Sequence, residues 1–275
     1  VDLDFVSSVT LTDIYGYMTY LSRERVLHQK SDASGYGLNA ASRARKIATI
    51  RSFYKYLTNK VHLIKENPVK DLDSPKLKKT LPKYLTLEES VQLLSSVDGQ
   101  NRERDYCILT LFLNCGLRIS ELCTLNTTDI QDDALRVLGK GNKVRIVYLN
   151  DACKEALNGY LAVRRPIVGR DQNALFLSSR NERVSRSTVH ALVKKHLGEA
   201  GLDSTQYSAH KLRHTAATLM LQNGVDVKAV QEVLGHEHLN TTEIYTHIDN
   251  EALRVAAKAN PLSRVKPPKK NEAEN

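Results

Sequence analysis

One stretch of this sequence departs from the helical pattern around it. ALRVLGKGNKVRIVYL, residues 134–149, alternates apolar and polar side chains around a Gly-Lys-Gly-Asn turn. This alternation has the two-residue period of a strand, and the central glycines suit the turn of a β-hairpin. On both sides of it, apolar residues recur at the spacing of helices. We therefore predict a mainly α fold with a small antiparallel β-sheet.

The predicted helices lie on either side of a basic segment that contains prolines. DSPKLKKTLPKY, residues 73–84, holds two prolines and four lysines without an apolar period, as is typical of interdomain linkers. Directly after it, Thr86 and Glu89 have the capping-box spacing of a helix start. The C-terminal sequence PLSRVKPPKKNEAEN has too little apolar content to pack. We predict a helical domain over 1–72, a linker over 73–84, a second domain over 85–260 and a flexible tail over 261–275.

Apolar periodicity also predicts the individual helices. In the first domain, LTDIYGYMTYLSRERV and SRARKIATIRSFYKYL have helical spacing. In the second domain, the predicted helices cover approximately residues 86–96, 102–115, 120–125, 151–164, 186–200, 209–223, 226–234 and 239–258, the last with a break.

The charge and cysteine content limit the function classes. Among 275 residues, 40 Lys and Arg face 31 Asp and Glu, which leaves a formal net charge of +9. This surplus favours a polyanionic partner such as nucleic acid, although many basic proteins bind none. The four cysteines lack C-x-x-C spacing, so we expect reduced, buried thiols. With no stretch suited to a membrane span or signal segment, we expect a soluble, cytoplasmic protein without a membrane partner. The start at Val1 leaves open whether a natural N-terminal element is missing.

One helix of the first domain combines an apolar stripe with basic side chains. Ile47, Ile50, Tyr54 and Leu57 share a face of SRARKIATIRSFYKYL. Residues 1–72 contain 11 Lys or Arg and 7 Asp or Glu, so their net charge is 11 − 7 = +4. The basic side chains form either a solvated helix face or a surface that rests on phosphates. The candidate DNA contacts are Arg43, Arg45, Lys46, Arg51 and Lys55.

HKLRH, residues 210–214, begins another predicted helix with two histidines around an arginine. His210 and His214 have the i, i+4 spacing of zinc ligands, but a hydrolytic zinc helix carries Glu after the first histidine. Here Lys211 takes that place and Arg213 adds a permanent cation, so repulsion argues against a metal. A phosphodiester fits better, because a guanidinium binds two oxygens while an imidazole moves protons. We expect no metal and no cofactor.

A phosphodiester site also needs a second cation and a nucleophile. GLRISEL places Arg118 just after the helix-ending Gly116, with Glu121 one turn further on. A tyrosine can act as the nucleophile if cations stabilise its developing negative charge, since its free pKa is near 10. The remaining candidates are His236 and Tyr245 in LGHEHLNTTEIYTH, and Lys140 and Lys143 in the hairpin turn.

These motifs resemble those of the tyrosine recombinase, or lambda-integrase, family, most closely the bacterial Xer-type and transposon integrases. GLRISEL, GKGNKVR, HKLRH, LGH and TTEIYTH occur in the order that the family has. SRARKIATIRSFYKYL also resembles the N-terminal core-binding domain of the family, so the resemblance covers nearly the whole chain. It implies a helical core-binding domain followed by an α-rich catalytic domain.

The resemblance implies a reaction as well as a fold. Tyr245 would attack the scissile phosphate, form a 3′-phosphotyrosyl bond and release a 5′ hydroxyl. Arg118 and Arg213 would clamp the nonbridging oxygens as negative charge builds on them. Because the phosphotyrosyl bond conserves the energy of the broken phosphodiester, religation would need neither ATP nor a metal.

The resemblance assigns supporting roles to the other candidates. Lys140 would protonate the leaving 5′ oxygen, with Lys143 as the alternative acid and as a candidate DNA contact. His210 would transfer a proton with the tyrosine, and His236 would hydrogen-bond the phosphate. Glu121 would orient an arginine or histidine of the site from behind. Each side chain also has a purely structural alternative, such as a surface ion pair or a core position.

The resemblance further implies an assembly. Protomers would bind inverted arms of duplex DNA and meet as a tetramer that exchanges strands through a Holliday junction. NEALRVAAKANPL, residues 250–262, is too apolar to remain free in water, so we expect it to dock on a neighbouring catalytic domain. Two rival functions are a monomeric type IB topoisomerase and a non-catalytic architectural DNA-binding protein. The sequence leaves open the DNA site, accessory proteins, and the choice between chromosome-dimer resolution and mobile-element integration or excision.

Overall fold

The computed structural model describes residues 3–25, 36–75, 83–139, 143–166, 171–235 and 250–268. Its contacts divide the chain into two compact units, Val1–Leu81 and Pro82–Asn275. The boundaries of the predicted domains and linker stay a prediction. None of the helices in the described ranges is long and apolar enough to cross a membrane.

The first unit is helical. Its helices are α1 (Leu3–Ser8), α2 (Leu11–Arg23) and α3 (Ala40–Asn59). Thr10 caps α2 in a reciprocal capping box with Asp13, which satisfies two backbone N–H groups at the helix start. On α3, Ile47, Tyr54 and Leu57 are buried as the predicted apolar stripe requires.

The second unit is built around a helix that is buried over most of its length. Its helices are α4 (Leu87–Ser95), α5 (Arg102–Cys115), α6 (Ile119–Thr124), α7 (Asp151–Val163), α8 (Arg186–Glu199), α9 (Ala209–Gln222), α10 (Val227–Leu234) and α11 (Asn250–Lys258). Two short 3-10 helices cover Thr127–Asp129 and Pro261–Arg264. Every residue of α5 from Asp105 to Cys115 is buried, so this helix forms the centre of the main hydrophobic core. All four cysteines are buried and free.

A small antiparallel sheet lies beside these helices. It consists of β1 (Ile130–Gln131), β2 (Ala134–Leu138) and β3 (Val144–Tyr148) in that order. The pairing of β2 with β3 runs from Ala134 opposite Tyr148 to Leu138 opposite Val144. The hairpin predicted from residues 134–149 is therefore confirmed, as is the mainly helical fold class. The two-residue strand β1 was not predicted, because so short a segment has no readable alternation.

The C-terminal region corrects one prediction and changes another. Pro261–Arg264 form a 3-10 helix in which Leu262 is fully buried, so the prediction of a flexible tail from residue 261 is wrong at its start. The side chain of Asn260 donates to the carbonyl oxygen of Leu113 at 3.0 Å and fixes this segment to α5. On α11, Ala256 and Ala257 are buried against the same chain. The segment is therefore partly covered within the protomer, whereas Val255 is 56% exposed, and its docking on a neighbouring catalytic domain stays a prediction.

Candidate active site

The turn after α5 positions the first arginine of the site. Helix α5 ends at Gly116, whose φ of +58° lies in the left-handed region, where glycine is favoured. A Cβ atom at this position would lie 2.4 Å from Cδ2 of Leu234, so close packing also requires glycine. Arg118 then caps α6, where its backbone N–H donates to Oε2 of Glu121 at 2.7 Å. The predicted neighbours Arg118 and Glu121 are thus joined by the capping geometry.

Glu121 lies at the centre of the site, and its side chain is only 2% exposed. Its Oε1 accepts from Nη1 of Arg118 at 2.7 Å and from Nη1 of Arg145 at 2.6 Å. Its Oε2 accepts from Nη2 of Arg145 at 3.0 Å and lies 3.9 Å from Nη1 of Arg213. Burial raises the pKa of this carboxyl, but the hydrogen bonds and charge of Arg145, together with the bonds from Arg118, outweigh burial and lower it. The carboxylate is therefore ionised at neutral pH.

Arg213 occupies the first turns of α9 and is 6% exposed. Its Nη1 donates to the carbonyl oxygen of Gly116, and its Nη2 donates to that of Leu234 at 2.6 Å. Burial, followed by repulsion from Arg118, lowers the pKa of Arg213 to about 10 despite the attraction of Glu121. The guanidinium is thus a cation held in place by backbone carbonyls at the ends of two helices. A guanidinium has five N–H donors, so donors remain for a ligand.

The end of α10 completes this arrangement. Gly235 terminates the helix with a φ of +65°, and its carbonyl oxygen accepts from Nη2 of Arg118 at 2.8 Å. A Cβ atom on Gly235 would lie 2.9 Å from Cδ of Arg145. The backbone immediately before His236 is therefore packed against two arginines. Motifs that are far apart in sequence meet here, as the predicted site requires.

Arg145 was not among the predicted site residues. It lies on β3, and its side chain is 16% exposed. We refer to Arg118, Arg145 and Arg213 around Glu121 as the arginine cluster. The signal that could have identified Arg145 is its place at the end of GKGNKVR. In an alternating strand, however, a polar position is expected to face solvent. Alternation therefore gave no reason to predict that Arg145 binds a buried carboxylate.

The other predicted catalytic residues lie partly within and partly outside the described ranges. His210 is exposed on the first turn of α9, one turn before Arg213. Lys140, His236 and Tyr245 lie outside the described residues, so their predicted roles stay predictions.

Two further residues near the predicted motifs can be placed. Lys143 is exposed, and its carbonyl oxygen accepts from the backbone N–H of Gly139 at 2.8 Å, which closes the hairpin. His214 is half-buried, with its ring edge-on to that of Tyr84 at 6.3 Å between centroids. Burial lowers the pKa of His214, with smaller contributions from Lys211 and His210. This contact indicates a structural role for His214.

The DNA-contact candidates of α3 do not share one face. Arg45 and Lys55 are exposed, whereas Arg43, Lys46 and Arg51 are half-buried. Arg43 lies four residues before Ile47 and therefore on the buried side of the helix. Its buried Nε has no hydrogen-bond partner among the described residues. Arg45 and Lys55 are consequently the most accessible of the predicted contacts on this helix.

Comparison with known proteins identifies the family of the chain. Residues 83–252 match the Phage integrase family. The chain belongs to this family and is a tyrosine recombinase, an enzyme that cuts and rejoins DNA.

Within the family, the chain is similar to XerC-type site-specific recombinases. It is 52% identical over 265 residues to tyrosine recombinase XerC of Caldanaerobacter subterraneus subsp. tengcongensis, covering 96% of this chain and 72% of that relative.

Solved structures share the fold. XerH bound to its difH substrate in a pre-cleavage complex has a TM-score of 0.64 at 24% identity, covering 92% of this chain and 71% of XerH. A dimer of lambda integrase residues 75–356 bound to a COC′ core site has a TM-score of 0.63 at 20% identity, covering 89% of this chain and 85% of that fragment. At these identities the likeness concerns the fold alone.

Proposed function

We propose that this recombinase cleaves DNA through a 3′-phosphotyrosyl intermediate formed by Tyr245, with Arg118 and Arg213 as the phosphate clamp. The observation that carries the proposal is the pair of guanidinium groups held at one place by Glu121 and by the carbonyls of Leu234 and Gly235. Both retain N–H donors beyond those that anchor them. A preorganised pair of cations stabilises the charge that develops on a phosphate in the transition state.

The proposed steps balance without a cofactor. The phenolic oxygen of Tyr245 attacks phosphorus and gives its proton to His210, while the bond from phosphorus to the 5′ oxygen breaks. Lys140 donates a proton to that oxygen, and His236 hydrogen-bonds a nonbridging oxygen. In religation a 5′ hydroxyl attacks the phosphotyrosyl bond and the proton transfers reverse. Lys143 is the alternative acid.

The charge balance of the arginine cluster supports an anionic ligand. Three arginines surround one carboxylate, so the formal charge is 3 − 1 = +2. Burying unbalanced positive charge is costly, and a phosphate would compensate it. Because Arg213 is already buried without DNA, its desolvation adds no further free-energy cost when DNA binds. The site is therefore suited to a phosphodiester rather than to a cation.

Covalent trapping tests the proposed nucleophile. Duplexes bound by the protein are first selected from a random pool, then nicked and incubated with the protein in EDTA. On a denaturing gel, we expect a protein–DNA adduct from the unsubstituted protein and none from Tyr245→Phe. An adduct from the variant, or none from the unsubstituted protein on duplex that it binds, would contradict the assignment.

We also propose the assembly that the family resemblance implies. Protomers bind inverted arms, assemble as a tetramer on synapsed duplexes and exchange strands through a Holliday junction. Support comes from lambda integrase, which is a DNA-bound dimer in its solved structure. Sedimentation of Tyr245→Phe with selected duplex should reveal a tetramer, and a mass limited to one protomer per duplex at saturation would contradict it.

The proposal extends to the domains and the cellular setting. Residues 1–72 act as the core DNA-binding domain, with phosphate contacts from α3, and 85–260 act as the catalytic domain. The free, buried cysteines fit a reducing compartment. We propose that the reaction takes place in the cytoplasm, on chromosomal or mobile DNA.

A further inference from the structure

We propose that Arg145 is a positioning residue that holds the hairpin carrying Lys140 in place against the phosphate clamp. This inference rests on the proposed function, because it concerns the step in which the hairpin lysine protonates the leaving oxygen. Arg145 itself has no assigned part in the reaction. Its contacts nevertheless connect the hairpin to Glu121 and to the end of α10.

The first connection runs through the hairpin. Arg145 lies opposite Val137 in the β2–β3 pairing, one pair before the strands end at Leu138 and Val144. The bond from Gly139 N–H to the carbonyl of Lys143 then closes the turn at 2.8 Å. A side chain anchored at this pair therefore restrains the base of the loop that contains Lys140.

The second connection runs through Glu121 and the end of α10. Arg145 binds both oxygens of Glu121 at 2.6 and 3.0 Å, a bidentate geometry that lysine cannot reproduce. Its Nε also donates weakly to the carbonyl oxygen of Val233 at 3.4 Å, and Gly235 packs directly on its side chain. Arg145 thus fixes the hairpin to the same carboxylate and the same helix end that hold Arg118.

The arrangement separates Arg145 from the clamp in function. If Arg145 is removed, Arg118 keeps its bonds to Glu121 and to the carbonyl of Gly235, and Arg213 keeps its two carbonyl acceptors. The hairpin, in contrast, loses its bidentate attachment. Loss of Arg145 should therefore impair proton donation to the leaving oxygen more than stabilisation of the nonbridging oxygens.

A change of leaving atom distinguishes these two effects. The probe is a duplex recovered in the trapping experiment, with sulfur in place of the bridging 5′ oxygen at the mapped scissile phosphate. The thiolate leaves without a proton, because thiols are much stronger acids than alcohols. For Arg145→Gln, we expect cleavage to slow about 100-fold on the oxygen substrate, as for a misplaced catalytic group. On the sulfur substrate, it should approach the rate of the unsubstituted protein.

Matched variants make the result specific to the hairpin attachment. Arg136→Gln removes an arginine on the neighbouring strand whose side chain is 53% exposed and pairs with Asp129, and both substrates should be cleaved at the original rate. Arg118→Gln should remain slow on both substrates because it disables the clamp. Arg145→Lys should fall between Arg145→Gln and the original protein on the oxygen substrate.

Equal losses for Arg145→Gln on the oxygen and sulfur substrates would overturn the inference, since the defect would then lie in the clamp or in folding. So would unchanged cleavage of the oxygen substrate. The unsubstituted protein and Tyr245→Phe test the proposed function separately. Cleavage of the sulfur substrate by Lys140→Gln and by Lys143→Gln identifies which of the two lysines donates the proton. The comparison between Arg145→Gln and Arg136→Gln does not depend on that result.

Discussion

The basic side chains of α3 and those of the arginine cluster differ in their surroundings. Arg45 and Lys55 are exposed on α3, where water and salt screen their charge. Arg213 is 6% exposed and bonded to two backbone carbonyls. A buried, fixed cation acts strongly on a nearby phosphate, whereas a solvated one adds affinity that salt weakens. Burial thus separates residues suited to chemistry from residues suited to holding DNA.

The largest expected effect comes from removing the negative charge that the arginine cluster surrounds. Glu121→Gln keeps the shape of the side chain but leaves three cations close together. We expect the free energy of unfolding to fall by about 3–5 kcal/mol, as when one partner of a buried ion pair is removed. Denaturant unfolding measures this change. Asp171→Asn, which disrupts a partly exposed pair with Arg183 at 3.2 Å, should cost less than about 1 kcal/mol.

The same variant gives a prediction about pH. The folded-state pKa of Glu121 is lowered from its ordinary value of 4.5. Its ionisation therefore stabilises the folded protein above that value, and this contribution disappears as the pH falls through the lower, folded-state pKa. The stability difference between the unsubstituted protein and Glu121→Gln should shrink below pH 4.5. A difference that stays constant across this range would show that Glu121 does not stabilise the cluster through its charge.

The contrast between local and long-range signals explains how much the sequence could predict. Thr86 and Glu89 form the predicted capping box, and Gly116 ends α5 as expected, because both features depend on a few neighbouring residues. The alternation of residues 134–149 likewise identified the hairpin. These signals were sufficient for the fold class and for joining Arg118 to Glu121.

The partners of the arginines depended on tertiary packing instead. Arg213 binds carbonyls of Gly116 and Leu234, which any residue type could supply, so the sequence has no signal for them. Arg145 occupies a polar strand position that alternation assigns to solvent. Leu262 is one apolar residue in a polar C-terminal segment, and only its packing against the core reveals that it is buried. These features can be identified only when the fold is known.

An intermediate effect is expected at Arg118, on the exposed side of the arginine cluster. Its side chain is 36% exposed, so Arg118→Gln should fold normally. Loss of one preorganised donor to the developing negative charge should slow cleavage about 10²–10³-fold without a comparable loss of DNA affinity. Single-turnover cleavage of the selected duplex measures the rate, with Arg136→Gln as the exposed-arginine control.

A neutral scissile group tests why Arg118 matters. If the guanidinium mainly offsets the charge of a nonbridging oxygen, a methylphosphonate at that position should reduce the defect of Arg118→Gln, because the charge is no longer present. A defect of the same size on both substrates would indicate that Arg118 acts by positioning alone. In that case, the distinction between buried chemistry and exposed affinity would not extend to this arginine.

The smallest expected effect is on α3, where the charges are solvated. Replacing Arg45 or Lys55 with Gln should weaken DNA binding and lower the slope of log affinity against log salt by about 1 for each phosphate that is no longer neutralised. Cleavage at saturating protein should not change, because neither side chain belongs to the arginine cluster. Lys60→Gln is the matched control, since Lys60 is exposed just beyond the end of α3 and is not among the candidate DNA-binding residues. If all three variants lower the slope equally, α3 contributes only general positive charge; if only Arg45 and Lys55 do, these two side chains are specific phosphate contacts.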